Sequence, residues 1–112
     1  MSDKKTHTPL VHTDRVSLLI RNRTGNIATV PSADVIASSH YPDGLVRVLI
    51  YREAEPAQMS PSEFWRIVIP SHERAFRVLQ TSRTPDHTTV ITAELTPIYA
   101  AEREAIHRVL AR

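Results

Sequence analysis

The sequence contains no cysteine and only two glycines among its 112 residues. Without cysteine the chain cannot form disulfide bonds or thiolate zinc sites, and cysteine catalysis is excluded. Two glycines are too few for a phosphate-binding loop of the P-loop or dinucleotide type. The six histidines also lack metal-binding spacings such as His-x-x-x-His. We therefore expect neither a metal ion nor an organic cofactor.

Long apolar runs are missing as well. No stretch approaches the roughly 18 apolar residues of a membrane span, and the first residues lack the apolar core of a signal peptide. We therefore expect a soluble, cytoplasmic protein with no membrane partner. The length suits one domain. Residues 1–14 are polar and are expected to form a flexible N-terminal arm, followed by a single α+β domain over residues 15–112.

Four segments have the alternating or β-branched pattern of strands. They cover residues 15–22, 27–39, 45–52 and 87–95. Turn signals around Gly25 and Gly44 separate the first three, so we expect these three strands to form an antiparallel meander. Pro31 and Ser32 are expected to break or bulge the second strand, because proline cannot donate a hydrogen bond to a sheet.

Two segments have helical features. Residues 59–80 contain the only tryptophan and both phenylalanines, and they begin with a capping pattern of Ser60, Pro61 and Glu63. This pattern predicts a long central helix kinked at Pro70, although a strand over residues 65–69 with a helix starting at Pro70 is an alternative. A cap-plus-proline pattern at Thr96 and Pro97 predicts a last helix over residues 96–110. The resulting fold is α+β: an antiparallel sheet of about four strands in the order β-β-β-α-β-α, with two helices on one face.

Surplus apolar positions point to binding of another protein. A helix over residues 59–80 would carry more large side chains than one sheet contact needs, and the sheet would carry some on its second face. The predicted interface is a list of seven residues: Trp65, Ile69, His72, Phe76, Leu19, Leu49 and Tyr51. The first interpretation is therefore a non-enzymatic protein that regulates or inhibits a macromolecular partner, with a homodimer as the simplest assembly. The alternative is that the last helix and the N-terminal arm cover these positions.

Arginine supplies twelve of the fourteen basic residues. Because its planar guanidinium suits phosphate, a second hypothesis is a nucleic-acid-binding regulator that uses the sheet or the central helix. The arginines predicted for that role are Arg15, Arg21, Arg47, Arg66, Arg74 and Arg77.

A small enzyme is the third hypothesis. His72 and Glu102 are polar residues at positions that the helical pattern places on apolar faces. If they met in the fold, they would form a buried acid–base pair. The alternatives are a core histidine with one hydrogen bond and a glutamate that reaches water or an arginine.

Overall fold

Residues 10–111 form a closed antiparallel β-barrel with one α-helix packed on its outer surface. The computed structural model describes residues 10–111. Within this part of the chain the strands are β1 (Val11–Asn22), β2 (Ile27–Ser38), β3 (Leu45–Ile50), β4 (Phe64–Ile69), β5 (Arg74–Arg83) and β6 (Thr89–Thr96), and the helix is α1 (Ala100–Leu110). The six strands close in the order β1-β2-β3-β6-β5-β4.

The predicted α+β fold with two helices and a four-stranded sheet is wrong. Residues 59–80, predicted to be one kinked helix, contain two short 3-10 turns, at Pro61–Glu63 and Pro70–His72, with β4 between them and most of β5 after them. The alternative was right about a strand at residues 65–69 but not about a helix from Pro70. The capping pattern is present, with the Glu63 carboxylate accepting a hydrogen bond from the Ser60 amide at 3.0 Å, yet it begins only the 3-10 turn Pro61–Glu63. A cap favours the first turn of a helix and does not determine how far the helix continues.

The three-strand meander is confirmed. β1 pairs with β2 and β2 with β3, both antiparallel. Val16 lies opposite Ala33 while Leu18 lies opposite Val30, so that Pro31 and Ser32 together face one residue of β1. The expected bulge at Pro31–Ser32 is therefore present. β1 already begins at Val11, and residues 1–9 of the predicted arm lie outside the described residues.

Two apolar clusters stabilise the fold. The larger one fills the barrel and includes Leu18, Ile20, Ile67 and Ile91. The smaller one lies between α1 and the outer wall, where Ile106 packs with Leu19, Val68 and Ala75. β4 therefore has one face in the barrel and the other near the helix, so nearly all its residues are buried. This burial on both faces removes the polar–apolar alternation that identifies a strand in a sequence.

Helix α1 begins later than predicted. Its first residue is Ala100, and the Glu102 carboxylate accepts a hydrogen bond from the Tyr99 amide at 2.8 Å, which stabilises the first turn. None of the helices over residues 10–111 is both long and apolar enough to cross a membrane.

Candidate protein-binding surface

A buried ion pair fixes helix α1 on the barrel. Arg66 of β4 donates hydrogen bonds from Nε and Nη2 to the two carboxylate oxygens of Glu102, the second at 2.9 Å. Its Nη1 also donates to Thr96 Oγ1 at 2.5 Å, and Nη2 donates to the Pro97 carbonyl. The Arg66 guanidinium lies 4.2 Å from the centre of the Tyr99 ring. One arginine therefore holds the end of β6, the connection that follows it and the first turn of α1.

A bulge in β4 places Trp65 outside the barrel. Arg21 of β1 lies opposite Arg66, but the next residue of β1, Asn22, lies opposite Phe64. Trp65 is therefore an extra residue in β4, between Phe64, which belongs to the interior cluster, and the outward-facing Arg66. The bulge directs the Trp65 side chain to the surface, where it is 39% exposed.

Trp65 is part of a surface that combines aromatic, cationic and aliphatic side chains. The Arg21 guanidinium lies 4.6 Å from the centre of the Trp65 ring, within the range of a cation–π interaction. Ile27 lies opposite Arg21 on β2 and is 57% exposed. Beside them is a shallow groove of about 50 Å³ between β1, β4 and α1, whose apolar lining residues include Leu19, Val68, Ala101 and Ala105. We call Arg21, Ile27, Trp65 and this groove the Trp65 surface.

The seven residues of the predicted interface are distributed over several parts of the molecule. Ile69 and Phe76 are buried inside the barrel. Leu19 is buried beside α1, where it lines the groove of the Trp65 surface. Leu49 and Tyr51 are half-buried, and the Tyr51 hydroxyl donates to Asp34 at 2.6 Å. Of the remaining two, Trp65 lies on the Trp65 surface.

His72 and Glu102 do not form a pair. His72 Nδ1 lies 2.7 Å from Ser71 Oγ, and its Nε2 lies 3.6 Å from a carboxylate oxygen of Asp14. Both oxygens of Glu102 are bound by Arg66. Glu102 thus reaches an arginine. In the part of the chain that the structure describes, no three His, Asp or Glu side chains are grouped so as to hold a metal ion.

Among residues 10–111, three of the six arginines predicted for nucleic-acid binding have carboxylate partners. Arg66 binds Glu102, and Arg77 binds Glu94. Arg15 donates two hydrogen bonds to Asp34, at 2.9 and 3.0 Å.

The Arg15–Asp34 pair changes the titration of the groups around it. The hydrogen bonds from Arg15, and then the one from Tyr51, lower the pKa of Asp34 below its usual range. The Asp34 carboxylate in turn raises the pKa of the Tyr51 hydroxyl. Of the other arginines in the predicted set, Arg47 lies 5.5 Å from the centre of the Tyr41 ring.

Of the groove residues, Leu19 was in the predicted interface, whereas Ala101 and Ala105 were not. Ile27 was not predicted either, and Arg21 was assigned only to nucleic acid. Ile27 directly follows the Gly25–Asn26 turn, and its exposure depends on pairing that only the fold reveals. The alternation in β1 does place Arg21 on the polar face of that strand, which is the available signal. Comparisons with known protein families, with curated proteins and with solved structures found no match to this chain.

Proposed function

We propose that this chain is a non-enzymatic binding protein that regulates or inhibits a macromolecular partner through protein–protein contacts at the Trp65 surface. The observation that supports it most is the exposed Arg21–Trp65 stack beside an apolar groove. Tryptophan and arginine are among the residue types enriched at energetic hot spots of protein interfaces, where the surrounding contacts exclude water.

The dimensions of the groove suggest which side chain of the partner enters it. A volume of about 50 Å³ is too small for an aromatic ring and suits the end of an aliphatic side chain. Ala101 and Ala105 of α1 leave this space because they carry only a methyl group. The partner would therefore place one aliphatic residue against the helix and pack a flat apolar area on the Trp65 ring.

A second copy of the chain is the simplest partner. In a two-fold dimer the same surface occurs on both sides of the contact, so a surface that carries both a groove and exposed aliphatic residues can bind itself. Ile27 and the groove meet this requirement, because the Ile27 side chain is exposed and branched. A cytoplasmic location is part of the same proposal, and cell fractionation tests it.

Nucleic acid is the second candidate. The Arg21–Trp65 stack favours it, because bases stack on aromatic rings beside arginine. The carboxylate partners of Arg15, Arg66 and Arg77 weaken it, because they neutralise charge that phosphate would need. Raising the salt concentration separates the two, since a nucleic-acid complex dissociates steeply with salt while an apolar contact persists.

Affinity capture tests the proposal. Tagged wild-type protein is incubated with a lysate of source cells that also express the untagged chain. We expect it to retain a protein, either the untagged chain or another one, at both low and high salt. Trp65→Ala removes the aromatic contact and is expected to weaken the complex by about 2 kcal/mol or more, roughly thirtyfold. Ile27→Ser should also weaken it.

Leu110→Ser is the matched control for Ile27→Ser. Leu110 is also 57% exposed, but it lies at the end of α1, away from the groove at the start of the helix. This variant should capture the partner as the wild type does. Capture that is equal in all variants would contradict the proposed surface, and capture of nucleic acid that is lost at high salt would favour the second candidate.

A further inference from the structure

A second pocket, of about 230 Å³, lies at the end of the barrel where β1 begins. It is formed by the first residues of β1, the last of β2 and the junction between β4 and β5. We call it the mouth pocket. It shares none of its lining residues with the groove of the Trp65 surface, so it goes beyond the proposed function.

The floor of the mouth pocket is apolar. Val16, Ile69 and Phe76 belong to the interior cluster of the barrel and are almost completely buried. Val35 and Val46 are half-buried and pack against the same cluster. An apolar body that enters the pocket would therefore extend the barrel core, and its burial would be favourable.

The rim of the pocket is polar. This is unusual, because the side chains of a strand that point into a barrel are normally apolar. Asp14 lies opposite Val35, and His12 lies opposite Ala37, so both continue the inward row that begins deeper with Leu18 and Val16. Their side chains line the pocket together with His72. A few polar groups above an apolar floor are typical of small-molecule sites, which occur in the mouths of β-barrels.

The Asp14 carboxylate has two histidine neighbours. One of its carboxylate oxygens lies 3.1 Å from His12 Nε2, and the other lies 3.6 Å from His72 Nε2. The two imidazoles approach the carboxylate from separate segments, β1 and the 3-10 turn after β4. Asp14 is therefore positioned to orient the rim rather than to bind a cationic ligand.

Arg74, by contrast, has no ion-pair partner among residues 10–111. The carboxylate beside it in the chain, Glu73, is bound by Arg103 at 3.1 Å. Arg74 lines the mouth pocket and is exposed. A planar guanidinium recognises a carboxylate through two parallel hydrogen bonds.

We infer that the mouth pocket binds a small organic acid. Its carboxylate would contact Arg74, and its apolar body would lie on Val35, Val46 and Phe76. The volume is below the range of about 300–1,000 Å³ of pockets for drug-sized molecules, so the ligand is a small one. A small ligand with one anchored charge is expected to bind with a dissociation constant of about 1 mM.

Two probes of equal shape test the inference. Hydrocinnamate carries a carboxylate and a phenyl ring, and hydrocinnamide replaces the carboxylate by a neutral amide. Titration of the labelled protein, followed by amide NMR spectra, reports both the affinity and the place of binding. We expect hydrocinnamate to shift the signals of His12, Asp14, Val35 and Phe76, and to bind about tenfold more tightly than hydrocinnamide.

Three variants separate charge from shape. Arg74→Gln should remove the preference for the carboxylate, so that the two probes bind equally. Arg23→Gln is the matched control, since Arg23 is an exposed arginine in the β1–β2 turn at the other end of β1, and it should keep the preference. Ala37→Met adds atoms to the lining of the pocket and should weaken both probes alike.

Several results would overturn the inference. For the wild type, these results are an absence of amide signal shifts, shifts only outside the mouth pocket, or equal affinity for hydrocinnamate and hydrocinnamide. For Arg74→Gln, the contradicting result is that hydrocinnamate still binds more tightly than hydrocinnamide. The amide spectrum of each variant, recorded without probe, shows whether it is folded, and Arg74→Gln changes an exposed side chain that should not affect folding.

Discussion

The Arg66–Glu102 ion pair predicts a large loss of stability when one partner is removed. Only 3% of the Arg66 side chain and 7% of the Glu102 side chain are exposed. Glu102→Ala would leave the guanidinium buried without its two carboxylate bonds, and it would remove the acceptor of the Tyr99 amide. Removing one partner of a buried pair costs about 3–5 kcal/mol. Since a domain of this size has a free energy of unfolding of about 5–15 kcal/mol, this is a large part of the total.

Urea unfolding followed by circular dichroism measures this loss. The matched control is Glu94→Ala, which removes the acid of the exposed pair Arg77–Glu94, where 56% and 39% of the side chains are exposed. An exposed pair contributes less than about 1 kcal/mol, so the control should unfold almost as the wild type does.

The double variant Arg66→Met/Glu102→Met completes the test. Replacing both charges by apolar side chains removes the unpaired charge, so the double variant should be more stable than Glu102→Ala. If Glu102→Ala costs no more than Glu94→Ala, the argument that this pair holds α1 on the barrel is refuted.

Two further predictions concern titration and backbone strain. Because the pKa of Asp34 is lowered in the fold, its carboxylate contributes stability above its unfolded pKa of about 3.9, and the contribution is lost as the pH falls through the folded pKa. In Asp34→Asn, the free energy of unfolding measured in urea should therefore fall less steeply than in the wild type as the pH is lowered. An equally steep fall would contradict the effect of Arg15 on Asp34. His87 has a φ of 67°, in the left-handed region, so His87→Gly should raise the unfolding free energy by about 1 kcal/mol, and a thermal midpoint below that of the wild type would argue against strain there.

The hairpins could be predicted from the sequence because their signals are local. The alternation in β1 and β3 identifies strands. Gly25 and Gly44 have φ values of 90° and 81°, which ordinary side chains rarely adopt, so the turns fall where glycine occurs. Pro31 marks the bulge for a similar reason, since proline cannot donate a backbone hydrogen bond.

β4 and β5 could not be predicted in the same way. The pairing of β4 with β1 depends on residues far apart in the chain. The capping pattern at Ser60, by contrast, is a strong local signal for a helix over the residues that form β4 and most of β5. The β-branched residues Ile67, Val68 and Ile69 favoured a strand, but burial on both faces concealed the alternation. In the turn between β4 and β5, Glu73 has a φ of 48°. Glycine is the usual residue at such a φ, so the sequence gives no sign of a turn at this position.

In the candidate surfaces, too, local features could be predicted from the sequence and long-range contacts could not. Glu102 could be recognised as a buried acid, because it interrupts an apolar helical stripe. Its partner could not be named, because Arg66 was placed in a central helix that the structure does not contain and was assigned to nucleic-acid binding. In both the Trp65 surface and the mouth pocket, residues of β4 lie beside residues of β1 and β2 that are about 30 to 60 positions earlier in the sequence, and the closure of the barrel brings them together.

The central claim is that the Trp65 surface binds a protein partner. Affinity capture tests it most directly, with wild-type protein and Trp65→Ala that circular dichroism has shown to be folded. The account predicts that the wild type retains a protein, either the untagged chain or another one, at high salt, and that Trp65→Ala binds the same protein roughly thirtyfold more weakly. Equal retention by the two folded proteins would show that the partner binds elsewhere, and the Trp65 surface would then have no role in binding.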